Sequence, residues 1–166
     1  MRKPTFALLL ALPAMLVAAP LAAKDSLGVF SEWGAFRDPQ TPRCYAIAMA
    51  LNSTAARDYQ PFASVGSWPK RQLRNQIHFR LSRNVSPSGR IVLTVGRGTS
   101  FELTGGGGDA WAKDRKMDAA IIAAMRSAGG MTVTARDRNG ASFTDRYGLA
   151  GAATAMDAAT VGCAKL

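Results

Sequence analysis

The clearest regularity along the chain is alternation. Between Arg74 and Arg83, Ile77, Phe79 and Leu81 point one way while Gln76, His78, Arg80 and Ser82 point the other. That is the period of a strand with one buried face. The turn Ser86-Pro87-Ser88-Gly89 follows, then the β-branched run Ile91-Val92-Leu93-Thr94-Val95, the turn Gly96-Arg97-Gly98 and Phe101-Glu102-Leu103. Three strands joined by short turns predict a meander. Upstream, Leu27, Val29, Phe30, Trp33 and Phe36 predict a first strand over Ser26–Phe36. It is broken by Asp38-Pro39-Gln40-Thr41-Pro42, where two prolines remove backbone donors and fix φ. Cys44–Leu51 predicts a second strand, with Cys44, Ala46, Ala48 and Ala50 on one face and Tyr45, Ile47, Met49 and Leu51 on the other. A short helix would suit the alanines equally.

Helical spacing is plain in one interior stretch. Asp114 is placed to cap it, Met117, Ile121, Met125 and Ala128 share a face, and Gly129-Gly130 supplies the stop. Beyond it, Met131–Ala135 and Ser142–Tyr147 flank Asn139-Gly140, a strong hairpin signal. The alanine-rich tail from Gly151 to Val161 predicts a short terminal helix that delivers Cys163. The order predicts a mainly β fold: a β-sandwich of antiparallel strands with one inserted helix and a short C-terminal helix.

The first residues read differently. Arg2 and Lys3 precede an apolar stretch from Phe6 to Val17, and small residues lead to Ala22-Ala23 before Lys24-Asp25. This predicts a secretory leader over residues 1–23. A membrane anchor fits less well, because the apolar core is about a dozen residues, interrupted by Pro13, against the ~20 a spanning helix needs. Residues 24–166 then form a single domain with no membrane span, exported and most simply periplasmic, with a surface-associated or extracellular place as the alternative.

Export changes how the charge and the cysteines read. The formal net charge is +10, of which Arg2 and Lys3 lie in the leader. Such a chain is drawn to anionic partners: lipid headgroups, surface polysaccharide or acidic proteins. Nucleic acid is not expected outside the cytoplasm, while peripheral contact with a membrane surface is compatible with the charge. Cys44 and Cys163 are the only cysteines. An even count in an oxidising compartment predicts a disulfide between them. Closing so long a loop is worth roughly 4–5 kcal/mol in the chain-entropy model. Two free thiols are the alternative; a Cys-x-x-Cys redox pair is absent.

Candidate chemistry is sparse. His78 is the sole histidine, on a polar strand face beside Arg80, and reads as solvated rather than as a metal ligand or general base. Asp109, Asp114 and Asp118 cluster before and within the helix, where a cap and the helix dipole explain the last two. Asp145, between Phe143 and Tyr147, calls for an ion pair with an arginine. Gly105–Gly108 lacks the following Lys-Ser or Lys-Thr of a phosphate loop and reads as a flexible strand-to-helix loop. No catalytic residue, metal site or cofactor is expected.

The sharp feature is basic. From Tyr59 to Phe101 there is no acidic residue, yet Lys70, Arg71, Arg74, Arg80, Arg83, Arg90 and Arg97 are present. Arg74 and Arg80 share strand parity with His78, and Arg71 and Arg83 flank the strand. Lys70, Arg71, Arg74, His78, Arg80 and Arg83 are therefore the candidate face for an anion or partner, a fork-shaped array for carboxylate, sulfate or phosphate. The bland alternative is a solvated face paired with acids from other strands.

Residues through most of the chain carry a resemblance: Trp33-Gly34, Cys44-Tyr45, Phe101-Glu102-Leu103, Asp109-Ala110-Trp111, Ala123-Ala124-Met125, Met131-Thr132-Val133, Asp145-x-Tyr147-x-Leu149-x-Gly151, Ala155 and Cys163. In that order and spacing the chain resembles the invasion-associated locus B family of bacterial exported proteins. The resemblance implies a periplasmic or surface-associated protein, of a family named for a role in entering host cells. It implies no enzymatic activity, cofactor or catalytic residue. The leading expectation is a non-enzymatic protein that meets an anionic envelope component or an acidic protein partner. The alternatives are an inhibitor that plugs an envelope hydrolase with a loop such as Ser67–Arg71, and a hydrolase relying on Asp109 or Asp114.

Overall fold

The computed structural model of the chain describes residues 24–51, 57–86 and 89–164. The expected leader and Pro87-Ser88 of the expected Ser86–Gly89 turn lie outside them. The strands are β1 (Asp25–Phe30), β2 (Trp33–Asp38), β3 (Arg43–Met49), β4 (Phe62–Trp68), β5 (Leu73–Arg80), β6 (Ile91–Val95), β7 (Thr99–Gly106), β8 (Asp109–Trp111), β9 (Gly130–Arg136) and β10 (Ser142–Gly148). The helices are α1 (Arg115–Met125) and α2 (Ala152–Cys163), and a 3-10 turn, Pro69–Arg71, joins β4 to β5. The fold is mainly β, with one inserted and one C-terminal helix, as the patterning predicts.

The strands form one antiparallel sheet in the order β1-β2-β3-β4-β5-β8-β7-β6-β9-β10. Strands β5 and β10 stand five steps apart in that order, roughly 24 Å if the sheet were flat. The rings of Phe79 on β5 and Tyr147 on β10 nevertheless have centroids 5.8 Å apart. One sheet therefore folds over on itself to make the two packed layers. The bend falls in β7, which pairs with β6 over Thr99–Leu103 and with β8 over Thr104–Gly106. Gly105 is required there, because a Cβ would run into the backbone of Asp109 and Ala110.

Four local readings are corrected. The expected meander breaks after its first strand: β5 pairs with β4 and β8, whereas β6 pairs with β7 and β9, so the two strands are not neighbours. The expected single strand over Ser26–Phe36 is a hairpin of β1 and β2, turning at Ser31, which takes φ 53°. Phe30 pairs with Trp33 across it, so the apolar residues that suggested one strand face each other instead. The glycine run is no strand-to-helix loop. Gly105 and Gly106 belong to β7, and Gly107, at φ 59°, turns the chain directly into β8. Helix α1 stops at Met125, and Gly130 already begins β9. Strand β4, to which the patterning assigned no element, puts Ala63 and Val65 in the core and Phe62, Ser64 and Trp68 outside. Apolar residues on both faces erase its alternation.

The core is built from Trp33, Ile77, Phe79, Leu81, Leu93 and Val133, all fully buried. Between α2 and β1–β3 the packing is of small residues, Ala152, Ala155 and Ala159 on the helix against Ala35, Ala46 and Ala48 on the strands. Helix and sheet approach so closely that a Cβ on Gly162 would meet the Leu27 side chain. Cys44 and Cys163 are bonded, their Cα atoms 5.6 Å apart, in the usual range. The bond pins the end of α2 to β3. Asp114 caps α1 as expected, its Oδ1 accepting from the Met117 amide at 2.8 Å. An exposed ion pair, Arg126 to Asp157 at 2.6 Å, links the two helices.

Two outcomes follow for stability. Replacing Met125 by Ala should cost about 2–5 kcal/mol, because Met125 is fully buried, whereas Arg126→Ala should cost about 1 kcal/mol or less. Equal urea midpoints for the two variants would contradict this packing. Replacing both cysteines by Ala should lower stability by about 2–5 kcal/mol, and reduction of the parent should have a similar effect.

Candidate functional site

The six residues of the candidate face do not form one array. A bulge in β5 separates them: Gly66 pairs with Gln76 but Trp68 pairs with Leu73, so one extra residue is inserted on β5. Asn75 occupies it in the left-handed region, at φ 54°, with its amide donating to Ser67 Oγ at 3.0 Å. The expected parity of Arg74 with His78 and Arg80 is therefore lost. The two positions are reached from opposite sides of a bulge, which re-aims a side chain by design.

His78 and Arg80 do come together, on a carboxylate. His78 Nε2 lies 2.9 Å from Asp109 Oδ1, and Arg80 donates to Asp109 Oδ2 at 2.6 Å. Register places the carboxylate there, because Arg80 pairs with Asp109 between β5 and β8. His78 also stacks on Trp111, with centroids 5.1 Å apart, and Arg80 sits 3.7 Å above the Tyr59 ring. The reading of His78 as merely solvated is corrected: it is half-buried in an aromatic setting and engaged by an acid. Among the described residues no hydroxyl or thiol is hydrogen-bonded to it, so the His-Asp pair lacks a nucleophile. No three metal-ligating side chains come together among the described residues either.

Arg83 is likewise paired, donating to Asp137 Oδ2 at 2.8 Å. That bond, with amide donors from Asn139 and Ala141, holds the Asp137 carboxyl below the usual carboxylate range. Lys70, Arg71 and Arg74 differ. They are exposed, on the 3-10 turn and at the bulge, and face no carboxylate within ion-pair distance among the described residues. Arg115 joins them from the start of α1, donating to the Gln72 carbonyl at 3.4 Å. Lys70, Arg71 and Arg74 of the basic segment, with Arg115, thus form a corner of four cations without an ion pair among the described residues. The segment Ser67–Arg71 is the end of β4 and the 3-10 turn, not a free loop.

The carboxylates have structural occupations. Asp109 is spent on His78 and Arg80, and Asp114 on its cap. Asp118, expected only to favour the helix dipole, reaches back to accept the Ile77 amide at 2.8 Å, where β8 has ended. Asp145, expected to pair with an arginine, accepts the Ser82 amide at 2.9 Å, while Arg57 and Arg83 contribute only at longer range. Burial pushes both carboxyls above their ordinary value, against the pull of those hydrogen bonds.

Sequence reading missed an aromatic surface on the side of the sheet turned away from α2. The outer sides of β2–β5 and β8 carry Phe36, Tyr45, Ile47, Phe62, Trp68 and Trp111, all partly exposed. Phe36 and Tyr45 stack at 5.6 Å, with Arg43 over Tyr45. The rings of Phe36 and Trp68 recline into space left by Gly34 and Gly66, where a Cβ would touch them. Val29 and Met49, 72% and 48% exposed, extend the patch. The available signal was the alternation of Tyr45, Ile47 and Met49 on the second apolar face of the Cys44–Leu51 strand.

Together, fold and surface define a β-rich protein with a folded-over sheet, an aromatic outer face and a corner of free cations. No family model and no curated protein matches the sequence. Among solved structures the chain is similar to the crystal structure of invasion associated protein b from Bartonella henselae, at 13% identity and TM-score 0.60, over 84% of this chain and 97% of that one. At that identity the likeness is one of fold. No described helix is long and apolar enough to cross a membrane.

The raised Asp145 carboxyl gives a pH test. A folded-state value above the unfolded one means that the ionised form opposes folding above the unfolded value, near 3.8. Asp145→Asn keeps an oxygen for the Ser82 amide and removes the charge. The variant should gain stability relative to the parent at pH 7, and the gain should shrink as pH falls toward 4. Thermal melts at pH 7 and pH 4.5 compare the two; a gain that grows on acidification would contradict the account.

Proposed function

We propose that this is a non-enzymatic, exported binding protein of the invasion-associated locus B type, placed in the bacterial periplasm or at its surface. Its cation corner meets an anionic envelope component. The observation that carries the reading is the uneven fate of the basic residues. His78, Arg80 and Arg83 have carboxylate partners, whereas Lys70 and Arg71 on the 3-10 turn and Arg74 at the start of β5 are exposed and have none among the described residues. Cations held together without acids repel one another, and an external anion relieves that repulsion through charge-assisted bonds. The fold likeness to invasion associated protein b supports the assignment to that type. The occupied state of Asp109 and Asp114 speaks against the aspartate-dependent hydrolase.

The test is a variant carrying Lys70→Gln, Arg71→Gln and Arg74→Gln. Exposed substitutions usually change stability by about 0.5 kcal/mol or less each, so its melting should stay close to the parent's. Binding to lipopolysaccharide, followed by calorimetry at low salt, should weaken roughly tenfold or more and depend less on salt, since contacts at the surface are screened over about 8 Å. Unchanged affinity and salt dependence would remove the cation corner from consideration.

A further inference from the structure

A cleft of about 260 Å³ opens beside Arg74, between the β4–β5 connection and the end of α2. Pro69, Leu73, Cys163 and Ala164 give it an apolar lining, with Ser67, Arg74, Asn75 and Thr160 as its polar members. Those polar members are mostly committed internally. Ser67 Oγ accepts the Asn75 amide at 3.0 Å, and the Thr160 hydroxyl donates to the Met156 carbonyl at 2.8 Å. Among the described residues Arg74 has no such partner. The bulge at Asn75 is what turns Arg74 into the cleft's wall, and the disulfide fixes the opposite wall at Cys163.

From this geometry we propose that the cleft binds an anionic amphiphile, a single phosphate or carboxylate joined to an apolar chain. The head rests on Arg74 and the first few carbons of the chain enter the cleft. The inference builds on the cation corner proposed above and names its ligand class. A bare anion would leave the apolar lining unused, and a neutral chain would leave the guanidinium unanswered. Ligand pockets combine an apolar lining with a few placed polar groups in this way. The volume falls below the ~300 Å³ at which drug-sized pockets begin, so the cleft takes a short stretch of chain rather than a whole lipid.

Calorimetric titration of the full chain with inorganic phosphate and with butyl, hexyl and octyl phosphate, all below micelle formation, tests this. Affinity should rise by roughly threefold for each added methylene until the cleft is full, as burial of methylene groups demands. Arg74→Gln should weaken every phosphate by roughly tenfold. Thr160→Phe and, separately, Ala164→Leu place bulk at exposed positions of the cleft. They should abolish the chain-length dependence while leaving inorganic phosphate binding unchanged. Arg74-dependent phosphate binding with no chain-length dependence would overturn the cleft and leave the cation corner standing. Chain-length dependence that survives both filling variants would also overturn it, placing the chain elsewhere, such as on the aromatic sheet face. Absence of any phosphate binding would overturn both proposals.

Discussion

Within β7 the chain changes ladder partner in mid-strand, from β6 to β8, and the sheet bends there. A ten-stranded sheet with one apolar side must either find a second layer or become one. The bend makes the second layer from the same sheet and brings Phe79 onto Tyr147. It also leaves short strands whose neighbours run out of amide donors and acceptors. Strand β8 has three residues and pairs only with His78–Arg80, so the chain of β5 and its continuation past Arg80 run beyond it in both directions. Beyond one end Asp118 takes the Ile77 amide; beyond the other, Asp145 takes that of Ser82 and the Gly108 carbonyl takes that of Leu81. An unpaired buried amide costs about 1–3 kcal/mol. That penalty explains why two carboxylates are kept in the interior although burial raises their proton affinity.

The same bend sorts the surface. On the β1–β3 side, alanines let α2 lie close and let Cys163 reach Cys44. The opposite side of those strands, left without a helix, keeps its aromatic residues half-exposed. Asp109, brought next to β5 by β8, neutralises Arg80 and engages His78, and Asp137, from the last hairpin, neutralises Arg83. Positive charge is thereby concentrated where no acid arrives, at the β4–β5 connection. An exposed apolar patch beside a corner of free cations is a surface arranged for contact with something outside the molecule.

Much of the architecture was legible along the chain because its signals are local. Alternation at Ile77, Phe79 and Leu81, the Asp114 cap, the apolar stripe through Ile121 and Met125, and the turn at Asn139-Gly140 each depend on residues a few positions apart. The cysteine pair was legible for another reason, since two cysteines permit only one intramolecular bond. Local signals failed where both faces of a strand are apolar, as in β4, and where a turn carries no glycine or proline, as at Ser31-Glu32.

The make-up of the basic segment was fixed by the sequence itself: many cations, no acid between Tyr59 and Phe101, and one histidine. Which of those cations remain free was decided by tertiary structure alone. Ion pairing depends on acids contributed by strands distant in sequence, through a register that no local pattern states. A one-residue bulge at Asn75 then reverses the side on which Arg74 stands relative to His78 and Arg80. Alternation can predict a face only while the ladder is regular, and here the irregularity lies at the residue that borders the cleft.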